Sequence, residues 1–418
     1  MEQQNWKRTF TFIWTGQLFS TISSSVVSFA VIFWLSVQTG SAQVLAFATL
    51  ASLMPQLVLG LFTGVLVDRW NRKRIMIVAD LYIAAMTAVM AVLFYIGKAE
   101  IGFIYALLAL RSIGSSFHSP AMEASVPLLA PQSELMRVAG INNMLFSVST
   151  IAAPAIAAVF VNALDMTWVL MFDVLGALIA CGSLLFVDIP NPRDVLQTRA
   201  EKQSLEGSET EFQRFFAELR QGVHEVVKRP GLMWMFIFTI FASLAMVPVS
   251  TLFPLMTLDH FGGDTYKMSI VEIAWGVGML IGGGLMSLPK FKFNNVLLIN
   301  VMYIILGLSF AFSGFLPPQG FYFFVAFSLI GGIAAAIYWG AFTVLLQTNL
   351  DPAVLGRVFS IQGSLIMIPA MFSLVATGFI ADTIGISNAF VIGGVILILI
   401  GVLSPLIPSI RNMGTQIV

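Results

Sequence analysis

The sequence predicts an all-α integral membrane protein of twelve transmembrane helices in two six-helix, pseudo-symmetric bundles. Three observations carry that reading. Hydrophobic residues make up 58% of the 418 positions and charged residues only 10%, against roughly 25% charged in soluble domains. Mean hydropathy is +0.91. Apolar stretches of hydrocarbon length recur along the whole chain, and the basic residues gather on alternate connections.

A spanning helix needs about 20 mostly apolar residues, because the hydrocarbon is ~30 Å thick and each helical residue rises ~1.5 Å. Backbone facing lipid must satisfy its own hydrogen bonds, so such runs form helices. The sequence places them near 9–37, 43–67, 75–97, 101–121, 139–161, 168–187, 232–258, 268–288, 295–316, 320–346, 358–381 and 388–408. The first run follows Lys7-Arg8 and, at about 30 residues, exceeds the ~7–15 of a signal-peptide core. It reads as a retained membrane helix. In the seventh run Pro248 and Pro254 interrupt the apolar pattern and invite a bend.

Of 21 lysines and arginines, all but Lys98, Lys267 and Arg111 fall on one set of loops and ends. The positive-inside rule makes that set cytoplasmic, and an even helix count puts both termini on that side. Residues 1–187 form the expected N-terminal bundle, 188–230 a cytoplasmic linker, and 231–418 the C-terminal bundle. Within the linker Phe212, Phe215, Phe216, Leu219, Val223, Val226 and Val227 recur at helical spacing between charges. That is an amphipathic helix, either on the inner membrane surface or packed on the bundle ends. Arg137-Val138 with Ile141 and Leu145 lines up with Arg357-Val358, Ile361 and Leu365, as two parallel repeats would.

The net charge of zero gives no argument for nucleic acid, and the single cysteine, Cys181, excludes an intrachain disulfide. Three scattered histidines offer no metal pair. There is no Gly-x-x-x-x-Gly-Lys-[Ser/Thr] phosphate loop, so ATP is not the expected fuel. Neither Gly-x-Ser-x-Gly nor His-Glu-x-x-His occurs, so no enzyme is expected.

Between the second and third runs lies Gly64-Val65-Leu66-Val67-Asp68-Arg69-Trp70-Asn71-Arg72-Lys73-Arg74. Gly64, Leu66, Asp68, Arg69, Arg72, Lys73 and Arg74 resemble the loop signature of the major facilitator superfamily. Asn71 stands where the family has glycine, and asparagine tolerates the left-handed backbone expected there. Further stretches resemble the macrolide-efflux branch of drug:proton antiporters. They are Arg111 to Ala121, Val126 to Pro131, Ser269 to Leu280 and Leu355 to Ser360, with Asn5-Trp6-Lys7 and Thr39 to Ala42. The fifth helix departs from the antiporter pattern, reading Ala152-Ala153-Pro154-Ala155 where a Gly-Pro is usual.

The resemblance implies two halves around a cavity lined by helices one, four, seven and ten. It also implies proton-driven efflux of bulky amphiphiles, macrolide-type antibiotics first, by alternating access. Export of an endogenous metabolite, siderophore or lipid-like molecule is the alternative. The expected setting is a bacterial plasma membrane. The protein should act as a monomer with lipid, protons and a small amphiphile as partners, and with no cofactor besides the proton gradient.

An ionisable side chain inside hydrocarbon costs at least ~2.5–3.5 kcal/mol, so it asks for a functional reason. Arg111 lies mid-way along the fourth run, with Ser115, His118 and Met122 at helical spacing. Arg111 either tunes the cavity and pairs with a titrating acid, or locks helices together. His118 is either a proton or substrate contact or a packing residue. Glu272 is the first-choice proton carrier, with a helix-end acid facing outer water as the plain alternative. Asp173 is a further candidate with a structural reading, whereas Asp80 and Glu123 are expected to reach water near helix ends. Cavity candidates are the stripe Gln17, Thr21, Ser24 and Ser28, then Ser115 and His118, and Trp275, Met279, Tyr338 and Trp339. Each of these aromatics could equally pack against lipid. Gly64, Asp68, Arg69, Arg72 and Arg357 are the expected conformational switch, with Asp68 meeting the positive N-terminus of the eleventh helix.

Overall fold

The computed structural model describes residues 6–129, 135–187, 223–286, 294–350, 358, 369–379 and 381–415. Among them every regular element is helical. The main helices are α1 (Trp6–Thr39), α2 (Ala42–Arg69), α3 (Arg72–Tyr95), α4 (Ile101–Leu129), α5 (Leu135–Ala163) and α6 (Met166–Leu185). They continue with α7 (Pro230–Thr251), α8 (Thr265–Met286), α9 (Asn295–Phe315) and α10 (Phe321–Asn349). After them come the shorter apolar helix α11 (Pro369–Ile384), α12 (Ile386–Leu403) and a short terminal helix, Pro408–Thr415. Among the described residues, ten helices are long and apolar enough to cross a membrane.

The boundaries follow local chemistry. Asn71 caps α3, its side chain accepting from the Arg74 N–H at 3.0 Å. Its φ is −66°, so the left-handed conformation expected of it is not adopted. An N-cap needs extended backbone and a side-chain acceptor, and asparagine supplies both. Asn294 caps α9 through the Val296 and Leu297 N–H groups at 3.0 and 3.2 Å, and Asp264 accepts from Lys267 N–H at 2.9 Å to open α8. The seventh span differs from the expected 232–258. α7 carries Pro248 within it and ends at Thr251. A short turn at Phe253–Leu255 then runs into a π-helical turn, Met256–His260. Pro254 has no N–H for the helical ladder, which accounts for a break just there.

The chain forms two compact units, Met1–Trp34 with Ala48–Ser208, and Leu35–Phe47 with Glu209–Val418. In the first, α3 packs on both α4 and α6. One end of this unit is an apolar knot of Phe10, Ile13, Trp14, Val67, Ile75, Met76, Ala121 and Leu184. It joins the start of α1 to the end of α2, the start of α3 and the end of α6, the arrangement that short loops impose on successive antiparallel helices. Lys73 reaches the Leu185 carbonyl at 3.4 Å, a cation on the negative end of α6.

The second unit is organised around Phe253, whose ring lies 5.5 to 6.2 Å from Trp275, Phe310, Phe324 and Phe390. Aromatic pairs of this kind add ~0.5–1.5 kcal/mol each beyond the area they bury. Close approach of α9 to α12 and of α8 to α10 depends on missing side chains. A Cβ on Gly307 would lie 2.6 Å from the Gly394 carbonyl oxygen, and one on Gly332 would strike the Trp275 carbonyl. His260 bonds the Leu316 carbonyl at 2.7 Å and the Ser387 hydroxyl at 3.1 Å, tying the π turn to α9 and α12. The segment 35–47 joins this unit through Asp382 on α11. That carboxylate accepts from the Ala42 N–H at 3.2 Å and the Ser41 hydroxyl at 3.4 Å.

Several expectations lie outside the described residues. They include the linker up to residue 222, Arg357 with Ile361 and Leu365, and the side chains of Gly64, Asp68, Arg69, Glu123, Arg137, Val138, Ile141 and Leu145. Of the expected amphipathic segment, residues 223–227 are helical, with Val226 buried and Lys228 bonded to Glu225 at 2.9 Å.

Candidate functional site

Each unit holds a cavity with polar groups. One in the first unit, about 380 Å³, is walled by Ser20, Thr21, Ser24, Ser25 and Ser28 of α1, Ser52 and Gln56 of α2, Asp80 of α3, and Arg111, Ser112, Ser115, His118 and Ser119 of α4. The hydroxyls recur every three or four residues on α1 and α4, so each helix turns one polar stripe to the same space.

Behind this wall sits a buried ion pair. Arg111 Nη2 meets Asp173 Oδ2 at 2.8 Å, and the two residues are 7% and 1% exposed. Thr87 Oγ1 lies 2.9 Å from the same oxygen, while Ser24 Oγ donates to Oδ1 at 2.6 Å and Ser23 Oγ stands 3.3 Å from it. The pair is thus clamped by α1, α3, α4 and α6 together. α6 gets close enough because Gly176 carries no side chain; a Cβ there would lie 2.8 Å from Ser23 Cβ. A charge pair out of water repays its desolvation only when hydrogen bonds fill the remaining sites, and here hydroxyls do so.

Asp80 departs from expectation. It is 2% exposed and stands on the wall of an internal cavity rather than at a solvent-facing helix end. Its Oδ1 accepts from Ser20 Oγ at 3.3 Å and lies 3.3 Å from His118 Nε2. α3 begins at Arg72, before the expected run, so Asp80 lies about two turns inside the helix and within the bundle. The α1 stripe also splits. Thr21, Ser24 and Ser28 line the cavity, whereas Gln17 is fully buried with both amide atoms unpartnered.

The second unit's cavity, about 230 Å³, is lined by Thr239, Ser243, Met246, Val247, Ser250, Trp275, Phe310, Tyr338 and Trp339. The Tyr338 ring meets Tyr303 at a tilt of 40°, with ring centres 4.7 Å apart, and the Tyr303 and Thr239 hydroxyls are 3.3 Å apart. Three of the four expected residues, Trp275, Tyr338 and Trp339, come together here. Met279 is half-buried on α8 but is not part of the lining. Glu272 is half-buried on α8, three residues before Trp275, and no hydrogen-bond partner is seen for it among the described residues. Arg72, half-buried, is the first residue of α3.

Thr87, Ser20, Ser23, Thr239 and Tyr303 were not singled out from sequence. Thr87 lies seven residues after Asp80, two turns on the same face, which was the available signal. Among the described residues no group of three His, Cys, Asp or Glu could hold a metal ion.

Comparison with known proteins places this architecture. The chain is 37% identical over 412 residues to macrolide efflux protein A of Streptococcus pyogenes, covering 99% of each. It is 38% identical over 326 residues to macrolide efflux protein A of Enterococcus faecalis, covering 78% of this chain and 97% of that one. A bacterial homologue of the iron transporter ferroportin, in an inward-facing state, has the same fold at TM-score 0.71 and 14% identity, covering 95% and 98% of the two chains. The family model described as Major Facilitator Superfamily matches residues 13–307, and the chain therefore belongs to that superfamily of membrane transporters.

Proposed function

We propose that the protein exports bulky amphiphilic compounds, macrolide-type antibiotics among them, across a bacterial plasma membrane by alternating access coupled to proton entry. The observation that carries the coupling is the Arg111–Asp173 pair, buried beside a serine-lined cavity within apolar helices. An ion pair there has a cost that packing alone does not require. The pair fixes the electrostatics of the first unit's cavity, next to which a proton can be loaded. The near-full-length likeness to proteins named for macrolide efflux supports the substrate class. The aromatic cavity of the second unit supports it too, since Trp275, Tyr338 and Trp339 offer faces for apolar and cationic groups.

In this proposal twelve spans form two six-helix halves, both termini are cytoplasmic, and the protein works as a monomer in lipid with no cofactor other than the proton gradient. Glu272 is a second proton-coupling group. Gly64, Asp68, Arg69, Arg72 and Arg357 switch the cytoplasmic side between closed and open.

The test is uptake of labelled erythromycin into proteoliposomes holding the purified protein in the cytoplasmic-side-out orientation. An acid interior should drive accumulation, and a proton ionophore should abolish it. Accumulation that ignores the pH gradient overturns proton coupling. A response to siderophores or lipid-like compounds with none to macrolides moves the substrate to the endogenous class.

A further inference from the structure

The first unit's cavity touches two carboxylates that are held in opposite ways. Asp173 has both oxygens occupied by Arg111, Thr87, Ser24 and Ser23. Asp80 has one occupied oxygen, bonded by Ser20. Its Oδ2 is buried with no hydrogen-bond partner, and His118 Nε2, 3.3 Å from Oδ1, is also without an aligned hydrogen bond. No lysine or arginine pairs with Asp80 among the described residues. A buried carboxylate oxygen normally has a hydrogen-bond partner, and this one has none. A protonated one would have an O–H to donate.

We propose that Asp80 and His118 form a proton-loading pair on the wall of this cavity, separate from the Arg111–Asp173 clamp. The inference rests on the proton-coupled reading above and names the atoms that take the proton. Both residues line a space of about 380 Å³, room enough for several waters, and hydroxyls of α1, α2 and α4 surround it. A proton passes from a hydronium of this water to Asp80 Oδ2 or His118 Nε2. One O–H or N–H bond forms, one water is left neutral, and the pair goes from a net charge of −1 to zero.

The groups facing Asp80 were considered element by element. α1 offers only the Ser20 hydroxyl, and α4 offers His118 with Arg111 two turns earlier. α6 offers Asp173, already neutralised by Arg111, and the Cys181 thiol, which points to the Ile77 carbonyl at 3.8 Å. Asp173 has donors on both oxygens, whereas Asp80 Oδ2 has none. Loading therefore falls on Asp80 and His118 and leaves the clamp intact.

The experiment compares unmodified protein, Asp80→Asn and His118→Gln in proteoliposomes by two assays. The first is accumulation of labelled erythromycin driven by a one-unit pH gradient, which one coupled proton supports to about tenfold. The second is exchange of labelled for unlabelled erythromycin with no gradient, measured across pH. Asp80→Asn should accumulate no labelled erythromycin against the gradient, and the exchange it retains should lose its pH dependence. His118→Gln should move the midpoint of that dependence by roughly one pH unit. Where Asp80→Asn fails to fold and exchanges nothing, the His118→Gln midpoint decides, and an unmoved midpoint overturns the pair. Gradient-driven accumulation by Asp80→Asn equal to the unmodified protein overturns it too. Accumulation by the unmodified protein that ignores pH sinks the coupling itself, a different result.

Discussion

Asp173 touches four helices through one carboxylate. Removing Arg111 would leave that carboxylate buried with only hydroxyl donors. Breaking a buried ion pair on one side typically costs ~3–5 kcal/mol, while replacing both partners by apolar groups is often neutral. Arg111→Met should therefore lower the unfolding midpoint in detergent sharply, and Arg111→Met with Asp173→Leu should recover most of the loss. Equal midpoints for the single and the double variant would show that the pair is not coupled. Reading the sequence gave Arg111 and Asp173 separately, because a charge in an apolar run stands out by cost alone. It did not give their partnership, because 62 residues separate them and helix rotation is not encoded in spacing. Asp80 was placed near water for the same reason: helix depth was legible, the facing neighbour was not.

At the scale of the helix, capping and turn chemistry behaved locally. Asn71, Asn294 and Asp264 sit at helix starts and use their side chains there. Pro254 marks the break after α7. What spacing could not supply is which helices cross closely. α8 and α10 do so where Gly278 faces the Leu329 carbonyl and Gly332 faces the Trp275 carbonyl. Helices in lipid associate through such small-residue contacts, since lipid tails match side chains in polarity. Gly332→Val should push the helices apart, at a cost of ~1–3 kcal/mol. It should also disturb the cavity wall at Trp275. Reduced thermal stability together with weakened substrate-induced quenching of tryptophan fluorescence would bear this out; unchanged values of both would not.

Over the whole molecule, charge sets orientation. With lysines and arginines confined almost wholly to one set of connections, and basic loops resisting translocation, both termini are expected to stay inside. Single cysteines placed at Gln3 and at Gln416 in a Cys181→Ser background should be protected from a membrane-impermeant maleimide in intact cells and labelled after lysis. Labelling of one terminus alone in intact cells would make the number of spans odd. The two compact units do not divide the chain at a single point. Residues 35–47 fall with the second unit, held by Asp382. No feature of composition marks that exchange, because it involves contacts more than 300 residues apart in sequence, Asp382 with the start of α2 and Gly378 against Gln43.

By itself the sequence determined the class of the molecule: a helical membrane protein with hydrocarbon-length spans, a family loop signature and a few ionisable groups that had to matter. Those properties follow from solvation, which acts on each residue whatever its neighbours. Only the tertiary structure decided that Asp173 is clamped, that Asp80 keeps an open oxygen beside His118, and that Gln17 is sealed away from the stripe it belongs to. Those depend on which helix faces turn toward one another, and that is fixed by packing across the bundle rather than by any stretch of chain.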